Sequence, residues 1–315
     1  MNGSSYIQIL PYSLIVGQEQ QKLALELAYI APRLGGVLIS GQRGTGKSTT
    51  VRAFSQMMYG CLPVTLPLNA TEDRVVGGWK IDELMRGEAK EQEGLLEEAN
   101  GKLLYVDEIN LLEDNIVNII LDVTSTGILV VQREGRRDEK HVSFVLVGTM
   151  NPEEGSLRPQ LLDRFGLMVS VSAVSNKDER AQIVRRVLEF DEAVSPLKQS
   201  QLSLEVIEQG RKQDEEYKKF LKNCCKHLYD VTVPEAIVEK CIALAIKEEF
   251  QAQGNRSDYL LALAARACAA REESTEVTNK HIEKVAPLVL QHRRSNQMPW
   301  TQEDDQRVTE ALTHG

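Results

Sequence analysis

The chain contains no C-x-x-C pair. Its five cysteines, Cys61, Cys224, Cys225, Cys241 and Cys268, are odd in number. Those two facts exclude a disulfide framework and a zinc knuckle. Cys224, Cys225 and His227 stand close together, but adjacent cysteines rarely ligate one metal, so packing is the better reading. No apolar run is long enough to cross a bilayer, and no membrane partner is expected. The N-terminal MNGSSYIQIL lacks a basic segment followed by a long apolar stretch, so no signal peptide is read there. Together these absences point to a cytoplasmic protein. A basic excess is missing as well: 37 Lys and Arg stand against 46 Asp and Glu, a formal net charge of −9. Broad nucleic-acid binding, which needs a basic surface, is therefore disfavoured. Neither a Ser–His–Asp constellation nor an internal repeat is found.

What is present is a phosphate-binding signature. Val37-Leu38-Ile39-Ser40 reads as a short buried strand. Gly41-Gln42-Arg43-Gly44-Thr45-Gly46-Lys47-Ser48 then fits G-x-x-x-x-G-K-[ST], and Thr49 to Phe54 continues as a helix with Val51 and Phe54 on one side. Gly41, Gly44 and Gly46 let the backbone curl, so that N–H groups around Thr45 and Thr49 point at phosphate oxygens. The helix N-terminus adds partial positive charge. Lys47 should reach the β- and γ-phosphates of ATP, and the Ser48 hydroxyl should ligate Mg²⁺. Upstream, Gln18 to Ile30 reads as a helix ended by Pro32. The apolar turn Ile15-Val16-Gly17 before it would hold an adenine ring or serve as plain core packing, two readings equally compatible with the residues.

The second signature is a strand, Lys102 to Val106, ending in Asp107-Glu108. Asp107 would hold the water shell of Mg²⁺, and Glu108 would orient or deprotonate the attacking water. Acids at such a place also cap helices. Downstream of a phosphate loop the hydrolytic reading prevails. A later buried strand, FVLVG, runs to Asn151 before Pro152. The C-terminal ends of parallel strands are where open α/β sheets bind ligands, so Asn151 is placed to meet the γ-phosphate or the attacking water.

Other elements are read from pattern. Val64 to Leu68 and Val169 to Val174 are strands, and Trp79 to Asn100 is mostly helical and acidic. Gly127–Val131 and His141–Val147 form a hairpin around the charged turn Gln132–Lys140. Strands alternating with helices imply a parallel sheet covered on both faces. After Phe190 the pattern becomes helical, with helices at Val233–Phe250, Asp258–Arg271 and Thr278–His292. The expected fold is α/β: a nucleotide-binding domain over residues 1–190, a helical linker 191–230, a small all-α lid 231–296 and a loosely held tail 297–315.

Several long motifs occur in order: GQRGTGKSTT, LPLNATEDRVVG, LLYVDEINLLED, VQREG, FVLVGTMNPEEGSLRPQLLDRFGL, GNRSDYLLALAARACAA and VLQHRR. From about Ile15 to Arg294 the chain resembles the I subunit of magnesium chelatase, an AAA+ ATPase. The resemblance implies a homo-oligomeric ring, a hexamer, with ATP and Mg²⁺ bound between subunits. It implies two partners: a D subunit carrying a VWA domain, and a large subunit that holds the porphyrin. It assigns Asn151 as sensor 1, Arg164 as an arginine finger reaching the neighbouring site, and Arg256 as sensor 2. Glu72 to Ala99 resembles the family's helix-2 insert, and Gly127 to Val142 its hairpin. Three departures are visible. Only Gly60 to Thr65 join the loop helix to LPLNATEDRVVG, Thr149-Met150 replaces a small pair, and Asn255-Arg256-Ser257 replaces an Arg-Gly start. The alternative is a MoxR-like remodelling ATPase that works with a VWA protein on protein targets. A DNA-acting ATPase would use the basic hairpin tip of Arg133, Arg136, Arg137 and Lys140, which reads more simply as a solvated turn.

Overall fold

The computed structural model describes residues 9–79, 91–133, 136–195, 200–247, 250, 255–294 and 300–314. A short lead-in turn, Tyr12–Leu14, is followed by a helix at Glu19–Ile30 that ends before Pro32. Then come β1 (Val37–Gly41), the helix Lys47–Tyr59 and β2 (Val64–Leu66). A one-turn helix, Glu72–Val76, leads into β3 (Gly77–Trp79), which pairs antiparallel with β4 (Glu91–Glu93). After Leu95–Glu98 comes β5 (Leu103–Val106), then the helix Asp114–Thr126. β6 (Ile128–Arg133) and β7 (Arg136–His141) form an antiparallel hairpin, and β8 (Val145–Met150) and β9 (Leu167–Val171) follow.

The main sheet has the order β2-β5-β8-β1-β9, and every pairing is parallel. Every residue of β1, β5 and β8 is buried, as expected for strands covered on both faces. Alternate residues feed two cores. Val37, Ile39, Leu103, Tyr105, Val147 and Val169 face the helices Glu19–Ile30 and Lys47–Tyr59. Leu38, Leu104, Val106 and Leu146 face Asp114–Thr126 and the hairpin residues Leu129 and Val131.

The first core runs on without a break into the helical part of the chain. Helices at Lys177–Val194 and Gln201–His227 lead to a lid of helices at Glu235–Ile246, Arg256–Arg271 and Asn279–Leu290. In the lid, Leu244, Leu261, Ala264, Ala265, Cys268 and Val289 are fully buried. Thr278 caps the last of these helices in a box with His281, as its position suggested.

Four expectations change. Residues 91–93 are a strand rather than helix, because they pair with Gly77–Trp79; the rest of the expected insert helix, 80–90, lies outside the described residues. The hairpin's second strand is the charged Arg136–His141, recruited by backbone pairing with apolar β6, while Val145–Met150 belongs to the main sheet. The stretch Asn69–Gly78 holds the short helix Glu72–Val76 instead of turn alone. Residues 302–314, expected as a loose tail, form a helix whose Val308 and Leu312 are each 1% exposed. Trp300, just before it, stacks on Phe250 at 5.6 Å and packs under the Arg294 guanidinium.

Candidate active site

The phosphate loop follows β1 and is built by local contacts. A Cβ on Gly41 would stand 2.2 Å from the Val171 carbonyl oxygen of β9, so only glycine allows that approach. Gly44 and Gly46 turn the loop with φ of 77° and 84°, in the left-handed region. Thr45 Oγ1 donates to Gln42 O at 2.9 Å. From the preceding helix, Gln18 Nε2 donates to Thr45 O (2.8 Å) and Gln21 Nε2 to Lys47 O (2.9 Å). The Lys47 ammonium donates to the carbonyls of Gly41 (2.5 Å) and Gln42 (2.7 Å). Burial lowers its pKa, against the opposing pull of Asp107, Glu108 and Glu154.

The acidic pair lies at the C-terminal end of β5, beside β8. Val106 is in register with Gly148, so Asp107, just past the end of β5, stands beside Thr149 of β8. Thr149 Oγ1 donates to Asp107 Oδ1 at 2.5 Å and accepts from the Glu108 N–H at 3.2 Å. Tyr105 OH donates to the same Asp107 oxygen (2.9 Å) and lies 2.8 Å from Ser48 Oγ. Since the tyrosine proton is used on Asp107, Ser48 donates to Tyr105. Burial pushes the Tyr105 pKa up to about 12, which keeps the hydroxyl protonated. Glu108 adopts φ 51°, ψ 49°, a left-handed conformation that costs a non-glycine residue about 1–3 kcal/mol. Its carboxylate meets Arg43 at 3.2 Å, and Arg43 also pairs with Glu154 at 2.7 Å.

These parts surround one cavity of about 440 Å³, lined by Gly44, Thr45, Gly46, Lys47, Ser48, Thr49, Asp107, Glu108, Thr149, Asn151 and neighbours. Asn151 is 5% exposed, and its Oδ1 accepts from the Glu153 N–H at 3.3 Å. Gly44, Thr45, Gly46 and Thr49 also line a second, mostly apolar cavity of about 390 Å³. Ile15, Val16, Ala173, Ile183 and Val187 form its other walls. The two cavities therefore share the loop, with the polar one on the acidic side and the apolar one on the Val16 side. The donors that Ser48 and Asp107 present are hard oxygens, the set that suits Mg²⁺ rather than a soft metal.

Arg164 and Arg256 line neither cavity. Arg164 Nη1 pairs with Asp122 at 2.6 Å on the helix Asp114–Thr126. Arg256, at the start of its lid helix, lies 3.5 Å from the carboxylate of Asp163, the residue before Arg164. The two arginines thus share one region of the molecule, apart from the chain's own phosphate loop. Cys224 is buried in the core, Cys225 lies 3.8 Å from the Tyr29 carbonyl and His227 pairs with Asp230. Among the described residues no His, Cys, Asp and Glu cluster suits a metal.

Three participants escape a reading of the sequence. Tyr105 sits in an apolar run and reads as core; its hydroxyl shows only once the strand's face is known. Thr149 is assigned by its register beside Asp107. Arg43 occupies a variable position of the loop signature. The one available signal was that all three lie within two residues of a motif residue at a strand end.

The fold and this site define an AAA ATPase. Residues 36–165 match the AAA domain of the dynein-related subfamily, and 235–312 match an AAA lid domain. The chain is 38% identical to the magnesium-chelatase 38 kDa subunit of Rhodobacter capsulatus, over 93% of this chain and 90% of that protein. It is 36% identical to a magnesium-chelatase ChlI homolog of Methanocaldococcus jannaschii, over 90% and 85%. Among solved structures it resembles a chain of a cryo-EM-based complex between the BchI and BchD subunits of magnesium chelatase, at 36% identity. That match has a TM-score of 0.50 and covers 96% of this chain and 99% of the other. The chain belongs to the magnesium-chelatase I-subunit family and is an ATPase motor of that kind. No helix among the described residues is long and apolar enough to cross a membrane.

Proposed function

We propose that this chain is the ATP-hydrolysing ring subunit of a complex that drives a metal ion into a tetrapyrrole held by a partner. The observation that carries the hydrolytic part is the chain of contacts Ser48–Tyr105–Asp107–Thr149–Glu108, which joins the phosphate loop to the acidic pair. In this reading the adenine enters the apolar cavity beside Val16, and the triphosphate follows the loop N–H groups into the polar one. Lys47 neutralises β- and γ-phosphate charge. Ser48 and Asp107 would hold Mg²⁺, which when bound would supply neutralisation of phosphate charge. Glu108 orients and deprotonates water, and Asn151 hydrogen-bonds near the γ-phosphate. For Glu108 to act, Arg43 must release it, keeping its pair with Glu154 or turning to phosphate.

Arg164 and Arg256 serve the neighbouring subunit's site. What supports this is their shared position by Asp163, away from the loop of their own chain. Head-to-tail contacts of this kind close into rings, here a hexamer by family likeness. The partners are a VWA-containing D-like subunit and a large porphyrin-binding subunit; the BchI–BchD complex supports a D-like partner, and the large subunit rests on the family resemblance. The short Gly60–Thr65 connection, a departure from the chlorophyll-pathway pattern, favours the second reading, a remodelling ATPase with a VWA partner alone.

The test is reconstitution of the chain with both partners, protoporphyrin, Mg²⁺ or Co²⁺, and ATP. The expected result is an ATP-dependent change in porphyrin fluorescence that Lys47→Ala abolishes. ATP turnover stimulated by the VWA partner, with the porphyrin left metal-free, would replace the chelatase reading with the remodelling one.

A further inference from the structure

The segment after the last lid helix, Gln291–Arg294, grips the loop that displays Arg164. The Arg293 side chain is 1% exposed. Its Nε lies 3.2 Å from Asp163 Oδ1, and Nη2 donates to the carbonyls of Asp163 (2.9 Å) and Phe165. Nη1 donates to Gly166 O at 3.2 Å and to Val289 O at 2.5 Å. His292 Nε2 donates to Phe165 O at 2.9 Å; burial holds this imidazole neutral, so one ring nitrogen carries the proton. Gln291 Nε2 donates to the Met168 carbonyl, and its Oε1 accepts from the Ser170 hydroxyl at 2.9 Å. Three consecutive lid residues therefore hold the backbone from Asp163 to Ser170.

The carbonyls of Asp163, Phe165 and Gly166 lie in the loop between the short helix Pro159–Leu162 and β9, outside either ladder, where a buried C=O needs a side-chain partner. A planar guanidinium brings five N–H donors in a fixed fork, against three on an ammonium, and so reaches several carbonyls spread along the loop. Gly166 is pressed against the Leu34 carbonyl, so the loop is fixed on its far side too. Arg164 lies between the gripped carbonyls, and its side chain reaches away from them, to Asp122. Arg256 joins the same group through Asp163.

We infer that Arg293 is a positioning residue for Arg164: it fastens the lid to the finger loop, so that the lid's orientation sets the finger presented to the neighbouring subunit. Arg293 touches no cavity of its own nucleotide site. The inference rests on the reading of Arg164 as a finger acting in trans.

The test is mixed-ring ATPase activity. Arg293→Lys keeps the charge but not the fork. It should bind an ATP analogue within about threefold of the parent, the scatter of substitutions that lose no ligand contact. Its kcat should fall roughly 100-fold with little change in KM, the effect of a misplaced group. Mixed with Glu108→Gln, which keeps its own finger, it should regain activity. Mixed with Arg164→Ala, it should stay inactive, because no subunit then carries a placed finger. Parental activity for Arg293→Lys alone overturns the inference. So does failure of the Glu108→Gln mixture when Arg164→Ala with Glu108→Gln recovers. If that last control pair itself stays inactive in rings shown to exchange subunits, the trans finger falls and this inference with it. Should Arg293→Lys not fold, His292→Ala loosens the same grip at the Phe165 carbonyl without touching the Asp163–Arg256 pair, and is judged by the same mixtures.

Discussion

The hydroxyl of Tyr105 lies 2.8 Å from Ser48 Oγ, linking the second strand of the sheet's nucleotide edge to the phosphate loop. The same hydroxyl donates to Asp107. One tyrosine therefore orients both groups assigned to Mg²⁺. Tyr105→Phe removes both hydrogen bonds, each worth about 1 kcal/mol, so the apparent Mg²⁺ affinity of the ATP complex should weaken by roughly fivefold or more. Nucleotide binding without Mg²⁺ should not change. A Mg²⁺ titration of ATP binding checks this, and an unaltered midpoint would refute the role.

Lys47→Ala should abolish tight ATP binding while the fold persists. Its ammonium bonds only two loop carbonyls and carries no core packing. Calorimetry with an ATP analogue and a melting curve separate the two effects. Unchanged affinity would remove Lys47 from the phosphate site.

Leu312→Ala should destabilise the lid by about 2–5 kcal/mol, because the leucine is buried to 1% exposure in a helix packed on the lid. A loosely held tail would tolerate the change within roughly 0.5 kcal/mol. Denaturant unfolding monitored through Trp300 distinguishes the two outcomes.

The phosphate loop and the Asp107-Glu108 pair are legible in the sequence because each is a local pattern: a strand end, then residues of fixed chemistry. The parallel sheet is legible because β1 and β8 are apolar on both faces. The second strand of the hairpin is not. Arg136–His141 has no strand composition and forms only because β6 offers it a backbone partner. The tail helix is missed for a similar reason: its buried Val308 and Leu312 stand amid acidic residues, and their partners lie far along the chain. Arg293 shows the limit most clearly. Its contacts with Asp163 span 130 residues, so nothing near VLQHRR marks it until the lid is docked. Thr149 was noticed only as a departure from the family's pattern; its hydrogen bonds to Asp107 and Glu108 give it a task.

The most direct test of the central claim is Glu108→Gln, with ATP affinity and turnover measured on one preparation. The glutamine keeps the shape of the left-handed residue and leaves the Asp107 cluster untouched. The account predicts that ATP and Mg²⁺ bind as in the parent while turnover falls at least ~100-fold, the scale of a lost general base. Turnover close to the parent's would contradict it, since among the described residues the other carboxylate lining the cavity is Asp107, which Tyr105 and Thr149 already hold.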